Sequence, residues 1–160
     1  ARSKDGKWAC RWRILPTHAV MELERAAHPY WFLYEGTPGG KYDEAALYMV
    51  DSAGKRHSGA QRWERRLPDP RWIYFGTAGV PRVLFLADLT HRAPGTVDSF
   101  WSMQGNMTVF GFGRTLATGD RWHHLTEVPA RFALGLIEET DHAAVAREVN
   151  RVLADLVPRP

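Results

Sequence analysis

The sequence is poor in cysteine and has no long apolar run. Cys10 is the one cysteine among 160 residues. It cannot form an internal disulfide, and a lone thiol excludes a cysteine-rich zinc module. No run approaches the roughly 20 apolar residues of a membrane-spanning helix, so we predict no membrane span. Residues 1–7 are polar and lack the apolar stretch of a signal peptide, so we expect none in this chain.

A concentrated basic stripe is also lacking. The 21 Lys and Arg residues against 18 Asp and Glu residues give a net charge of +3. The densest basic segment, residues 61–66, is interrupted by Glu64. Because nucleic-acid-binding surfaces concentrate their basic residues, we predict no nucleic-acid partner.

Motifs for metals, cofactors and nucleophilic catalysis are missing as well. The seven histidines form none of the spacings H-x-H, H-x-x-x-H or H-E-x-x-H, and a G-x-S-x-G elbow does not occur. The segment Gly39-Gly40-Lys41 lacks the spacing of a phosphate-binding loop. We therefore predict no metal and no cofactor.

Aromatic residues and turn formers are present in quantity. The chain has 7 Trp, 5 Tyr and 7 Phe, with 14 Gly and 10 Pro, and 44% of its residues are hydrophobic. This composition is typical of a folded protein with many short elements joined by turns. The length predicts a single domain over residues 1–160, either complete or a fragment of a larger protein.

Alternating apolar and polar residues predict about eight β-strands. Residues 71–75 and 82–87 form a candidate hairpin, 61–67 a polar edge strand, and 130–138, which is apolar on both faces, a central strand. The other predicted strands are residues 17–25, 30–35, 45–50 and 106–113.

Near the C-terminus the apolar period changes to that of a helix. Valines and leucines recur at helical spacing over about residues 141–156, and Thr140 or Asp141 can cap the helix. We expect Pro158 to end it, and its apolar side to cover a sheet face or an open end of the sandwich. The predicted fold is mostly β, an antiparallel β-sandwich or jelly-roll-like fold with one C-terminal amphipathic α-helix. A closed barrel is the alternative.

One candidate site surrounds the glycine-rich turn after residues 30–35. Glu35 and Asp43 can act as an acid/base pair at a sugar ring, with Lys41 or Tyr42 polarising an oxygen. Trp31 and Tyr34 are predicted to contact the ligand. The alternative is an ordinary turn whose glycines serve its geometry and whose tyrosines anchor it.

A second candidate site lies around residues 100–114. Trp101 borders a polar loop, and Asn106 and Arg114 are predicted to share a strand face with Thr108 and two phenylalanines. Amide and guanidinium groups beside flat rings suit a sugar, which offers both hydroxyl groups and C–H faces. In the alternative interpretation, the phenylalanines face the core and the polar residues mark the strand ends.

Several segments resemble β-sandwich domains of bacterial polysaccharide-degrading proteins. The resemblance is carried by the arrangement of Trp12 with residues 16–19, then by the segments 30–40, 72–76 and 106–114. It implies a secreted or periplasmic setting and a glycan ligand.

Three hypotheses about function follow. The first is a carbohydrate-associated β-sandwich that binds a polysaccharide or helps to process it, alone, as a homo-oligomer or beside a catalytic domain. The second is a structural or interaction domain without a ligand of its own, which packs on a partner through its aromatic surface. The third is a small stand-alone enzyme that uses Glu35 as acid/base. An enzyme in this setting would be a glycan-acting hydrolase, such as a glycosidase, or a lyase.

Overall fold

The described part of the chain folds into eleven β-strands and one α-helix. The structure, a computed structural model, describes residues 1–91, 96–115 and 125–156. The strands are β1 (Ala9–Ile14), β2 (His18–Arg25), β3 (Phe32–Gly36), β4 (Leu47–Asp51), β5 (Arg56–Ser58), β6 (Trp63–Arg65), β7 (Trp72–Thr77), β8 (Val83–Asp88), β9 (Asp98–Met103), β10 (Met107–Phe112) and β11 (Ala130–Ile137), and the helix is α1 (His142–Leu156).

The strands form two antiparallel sheets. The large sheet has seven strands in the order β1-β2-β11-β8-β7-β4-β5, and the small sheet has four in the order β3-β10-β9-β6. All strand pairs within them are antiparallel. Neither sheet closes on itself, so the sandwich alternative describes this molecule and the barrel does not.

One hydrophobic core lies between the sheets. Phe110 of the small sheet contacts Phe75 of the large sheet with ring centroids 5.5 Å apart, and Phe32 stacks on Phe132 at 4.4 Å. Alternation along each strand explains this layer, because every second residue of β10 points to the same face. Phe110 and Phe112, which the sequence offered as ligand-facing or core, are fully buried in it.

A second core covers the opposite face of the large sheet. Helix α1 buries Val145, Val149, Val152 and Leu156 against sheet residues that include Trp72. Asp141 caps the helix: its Oδ1 accepts a hydrogen bond from the N–H of Ala144 at 3.0 Å. The prediction of a C-terminal helix that covers a sheet face is confirmed, while Pro158 lies outside the described residues.

The predicted fold class is confirmed, and the differences are local. The 71–75 and 82–87 segments form the β7–β8 hairpin, β6 is an edge strand, and β11 is flanked by β2 and β8. Strands β1, β5 and β9 were not among the predicted strands. No helix within the described part of the chain has the length and apolar character needed to cross a membrane.

A buried ionic network joins the two sheets. Arg71, which is fully buried, forms ion pairs with Asp88 at 2.8 Å and with Asp98. The Asp88 carboxylate lies 3.0 Å from Nδ1 of His91, and the other ring nitrogen of His91 lies 3.0 Å from the hydroxyl of Tyr30. Because these groups are buried and paired with one another, we assign them to the architecture of the fold.

Candidate functional site

The face of the small sheet that points away from the large sheet carries a polar and aromatic cluster. Strand register places Glu35 and Trp101 on either side of Val109. With adjacent strands about 4.8 Å apart, the Cα atoms of Glu35 and Trp101 are roughly 10 Å apart. The next row along the sheet holds Gly111 and Glu64. We call this surface the outer face.

Arg114 reaches the outer face because of two glycines. Gly113 has a φ of 68°, a left-handed conformation that ends β10 and turns the chain back. The side chain of Arg114 then lies across Gly111, where an added Cβ would come within 2.9 Å of the Arg114 Cβ. The missing side chain at Gly111 therefore provides the space that the Arg114 side chain occupies.

The guanidinium of Arg114 lies beside two indole rings. Its Cζ is 3.5 Å from the ring centroid of Trp101 and 5.5 Å from that of Trp31. Both distances lie within the range of cation–π attraction. Trp31, one residue before β3, is half-buried, as is Trp101. The three side chains form one continuous surface in which a planar cation is held between aromatic groups.

Two carboxylates flank this cation. Burial lowers the pKa of Arg114 below its usual value, and the negative charges of Glu35 and Glu64 act in the opposite direction. The Glu64 carboxylate accepts a hydrogen bond from the hydroxyl of Thr115 at 2.6 Å, which fixes its position. Glu35 is exposed. The outer face thus presents the exposed Glu35 carboxylate, a hydrogen-bond acceptor, next to aromatic rings.

The structure brings together residues from both predicted sites. Trp31 and Glu35, from the glycine-rich turn region, share the outer face with Trp101 and Arg114, from the second region. Glu64 also lies on the outer face and was not among the predicted site residues. The alternation of residues 63–65 was the signal for it, because that alternation places Glu64 on the face opposite to the inward Trp63.

Other predicted residues lie elsewhere. Tyr34 points into the core between the sheets, where burial raises its pKa to about 12. Tyr42 packs against the same core. Asp43 accepts hydrogen bonds from the backbone N–H groups of Ala45 and Ala46, so its carboxylate supports its own turn.

Lys41 and Asn106 are exposed in turns, Asn106 in the β9–β10 turn. The strand face proposed for Asn106, Thr108 and Arg114 does not exist as one surface. Thr108 is buried on the inward face, whereas Arg114 lies on the outer face. The turn at Gly113 is the cause, because period-two alternation ends there.

No group of three or more His, Cys, Asp or Glu side chains suited to hold a metal ion occurs among the residues that the structure describes. The described residues do not include Trp122, His123 and His124, or residues 92–95 of the polar loop.

Comparisons with protein-family models, with curated protein sequences and with solved structures found no significant match for this chain.

Proposed function

We propose that the outer face of the small sheet binds a glycan. The observation that supports this is the placement of the Arg114 guanidinium between Trp101 and Trp31, with Glu35 beside them. Sugars present apolar C–H faces and rings of hydroxyl groups, so they are bound by flat aromatic surfaces next to fixed donors and acceptors.

In this proposal each residue has a role that is set by its chemistry. The indole of Trp31 and the exposed part of Trp101 contact the sugar's C–H faces. The Arg114 guanidinium, whose Nε and Nη1 atoms are buried, holds the Trp101 ring in position, and the Glu35 carboxylate accepts from hydroxyl groups. Binding, rather than catalysis, is the role we assign, because the Asp43 carboxylate that was predicted to act with Glu35 is engaged in its own turn.

The test is titration with a panel of neutral and acidic oligosaccharides, followed by calorimetry and by the melting temperature. We expect at least one oligosaccharide to bind, and Trp101→Ala to weaken its binding by about fivefold, because a stacked ring contributes on the order of 1 kcal/mol. Trp12→Ala is the matched control, since Trp12 lies on the edge strand of the other sheet. The proposal fails if no oligosaccharide binds at millimolar concentration, or if the two variants lose affinity equally.

A further inference from the structure

Strands β5 and β6 meet at one edge of the sandwich through a cluster of four side chains. β5 is an edge strand of the large sheet and β6 an edge strand of the small sheet, and each has only three residues. The ring centroids of His57 and Trp63 are 5.4 Å apart, and Cζ of Arg65 lies 4.9 Å from the Trp63 ring centroid. Asp51 of β4 completes the cluster. Because strands this short make few backbone hydrogen bonds, the side-chain contacts matter for holding this edge together.

Hydrogen bonding in the cluster fits a neutral His57 ring. Nε2 of His57 lies 3.1 Å from Oδ2 of Asp51, and Nη2 of Arg65 contacts both ring nitrogens, at 2.9 Å from Nδ1. The other Asp51 oxygen accepts hydrogen bonds from the N–H groups of Ala53 and Lys55 at 3.1 and 3.0 Å, which fixes the carboxylate. A carboxylate can only accept and a guanidinium can only donate. A neutral ring with its proton on Nε2 therefore satisfies both partners, since it donates to Asp51 and leaves Nδ1 to accept from Arg65.

A second proton on His57 breaks this arrangement. The imidazolium carries an N–H at Nδ1, which faces the N–H groups of Arg65 with no acceptor between them. The charged groups around the ring are Arg65 from β6, Lys55 from the turn before β5 and Asp51 from β4, so protonation sets three cations beside one carboxylate. Burial acts in the same direction and lowers the pKa of His57, and the hydrogen bond to Asp51 opposes it. The closed cluster therefore disfavours the added proton.

We infer that the contact between His57 and Arg65 is an acid-released latch between the two sheets. In the neutral form it holds β5 against β6, and protonation of His57 releases Arg65 and opens this edge. Opening uncovers Trp63, whose ring centroid lies 5.9 Å from that of Phe110 in the inter-sheet core. The inference goes beyond glycan binding, because it uses the inward residues of β6, whereas Glu64 lies on the outer face.

The other contacts between the sheets do not depend on this latch. Arg71 pairs with Asp88 of the large sheet and Asp98 of the small sheet, and neither carboxylate belongs to the cluster. Phe32 stacks on Phe132 at 4.4 Å, in another part of the core. Acid should therefore open one edge while the two sheets stay together.

Proton linkage sets the size of the effect. In the open form the imidazole is in water and takes up its proton near pH 6.5. Each further pH unit below that value raises the ratio of open to closed molecules by about tenfold, as long as the closed form stays neutral. Between pH 7.5 and pH 5.0 the limit is about thirtyfold, and partial protonation of the closed form reduces it.

Amide hydrogen exchange of the full chain, followed by NMR at pH 7.5 and pH 5.0 and corrected for the intrinsic pH dependence of exchange, tests the latch. Amides of β5 and β6 report opening of the edge, and amides of β8 and β11, inside the large sheet, report global unfolding. We expect the edge amides to be less protected than the central ones and to respond little to low urea, because a local opening exposes little surface. Their protection should fall by about fivefold to thirtyfold at pH 5.0.

Variants assign this loss to His57. His57→Gln keeps a hydrogen-bonding side chain that does not titrate, so its edge protection should fall by less than about twofold. His28→Gln is the matched control, because His28 is exposed, and it should behave as the original chain does. Arg65→Gln serves if His57→Gln fails to fold. Its amide oxygen can accept from the imidazolium, so its fold-loss should be less than about half of the original one.

Three results would overturn the latch. The first is edge protection that is the same at both pH values. The second is a loss in His57→Gln, or in Arg65→Gln, as large as in the original chain. The third is exchange of the edge amides no faster than that of β8 and β11, because the effect of pH would then belong to global unfolding alone.

Discussion

Arg71 links the two sheets through buried ion pairs. Its side chain is fully buried, and it neutralises Asp88 of the large sheet and Asp98 of the small sheet. Burial acts to raise the pKa of Asp88, but the hydrogen bond from His91 and the charge of Arg71 outweigh it and hold that pKa below its usual value. Removal of the cation leaves two carboxylates buried without their counter-charge.

We predict that Arg71→Met lowers the free energy of unfolding by about 3–5 kcal/mol, the usual effect of breaking a buried ion pair. Urea unfolding followed by circular dichroism measures it. Arg82→Met is the matched control, because Arg82 forms a solvent-exposed pair with Glu138 at 3.5 Å and should change stability by less than about 1 kcal/mol. Equal losses in the two variants would contradict our assignment of the buried network.

The absence of a side chain at Gly111 makes room for the Arg114 side chain on the outer face. We predict that Gly111→Ala moves Arg114 away from Trp101, since the added Cβ would come within 2.9 Å of the Arg114 Cβ. Affinity for a glycan that the original chain binds should fall several-fold, while Gly105→Ala, in the β9–β10 turn, should not change it. Because Gly105 has a φ of 69°, its variant also serves as a control for lost stability. A glycan affinity unchanged by Gly111→Ala would remove the Arg114 position from the proposed site.

His57 makes the stability of the fold depend on pH. Burial lowers its pKa, and the hydrogen bond to Asp51 at 3.1 Å opposes this without reversing it. The unfolded chain protonates the imidazole near pH 6.5, whereas the folded chain resists protonation until a lower pH. The unfolded state therefore binds more protons in that window, and stability falls as pH falls through it.

We predict that His57→Gln reduces this loss of stability between pH 7 and pH 5. Urea unfolding at each pH unit measures the slope for both chains. A residual slope should persist in the variant, because burial also lowers the pKa of His18. The same slope in both chains would show that His57 does not contribute to it.

Elements were predictable from the sequence where one face of the element meets an apolar layer. Strand β11 was predictable because both of its faces are apolar, and helix α1 because its apolar residues recur at helical spacing. Strand β9 was missed because its inward face is Asp98, Phe100 and Ser102, a mixed set without an apolar period. Only the fold reveals why Asp98 is buried there: its partner Arg71 is 27 residues away in the chain.

The candidate site was predictable in its residue types and not in its geometry. Aromatic and polar residues near turns pointed to Trp31, Glu35, Trp101 and Arg114. Their common face follows from the pairing of β3 and β9 with β10, which places segments distant in sequence side by side. The position of Arg114 depends further on the left-handed turn at Gly113, which strand alternation does not foresee.

The stability of helix α1 depends on its N-cap residue, Asp141. We predict that Asp141→Ala lowers the free energy of unfolding by about 1 kcal/mol, because the carboxylate accepts a hydrogen bond from the Ala144 N–H. Asp141→Asn retains an acceptor and should lose much less. Thermal unfolding of the two variants makes the comparison, and equal losses would show that charge, rather than the capping bond, is what matters there.

At the scale of the whole molecule, one sheet carries both hydrophobic cores. Val149 of the helix and Phe110 of the small sheet lie in different cores, on opposite faces of the large sheet. Strands β7, β8 and β11 contribute residues to both, so neither core can be lost without exposing one face of the same strands. The length of the chain predicts a single domain. Because the two cores also share strands, we expect them to unfold cooperatively.

We predict that the chain unfolds in one transition, and that damage to either core shifts that whole transition. Val149→Ala should cost about 2 kcal/mol and Phe110→Ala about 3–5 kcal/mol, since each leaves a cavity in a packed layer. In calorimetry, the calorimetric and van't Hoff enthalpies should agree for both variants, and the far- and near-ultraviolet circular dichroism should change together. Two separate transitions, with Val149→Ala moving one and Phe110→Ala the other, would mean that the helix layer and the sheet sandwich fold as independent units.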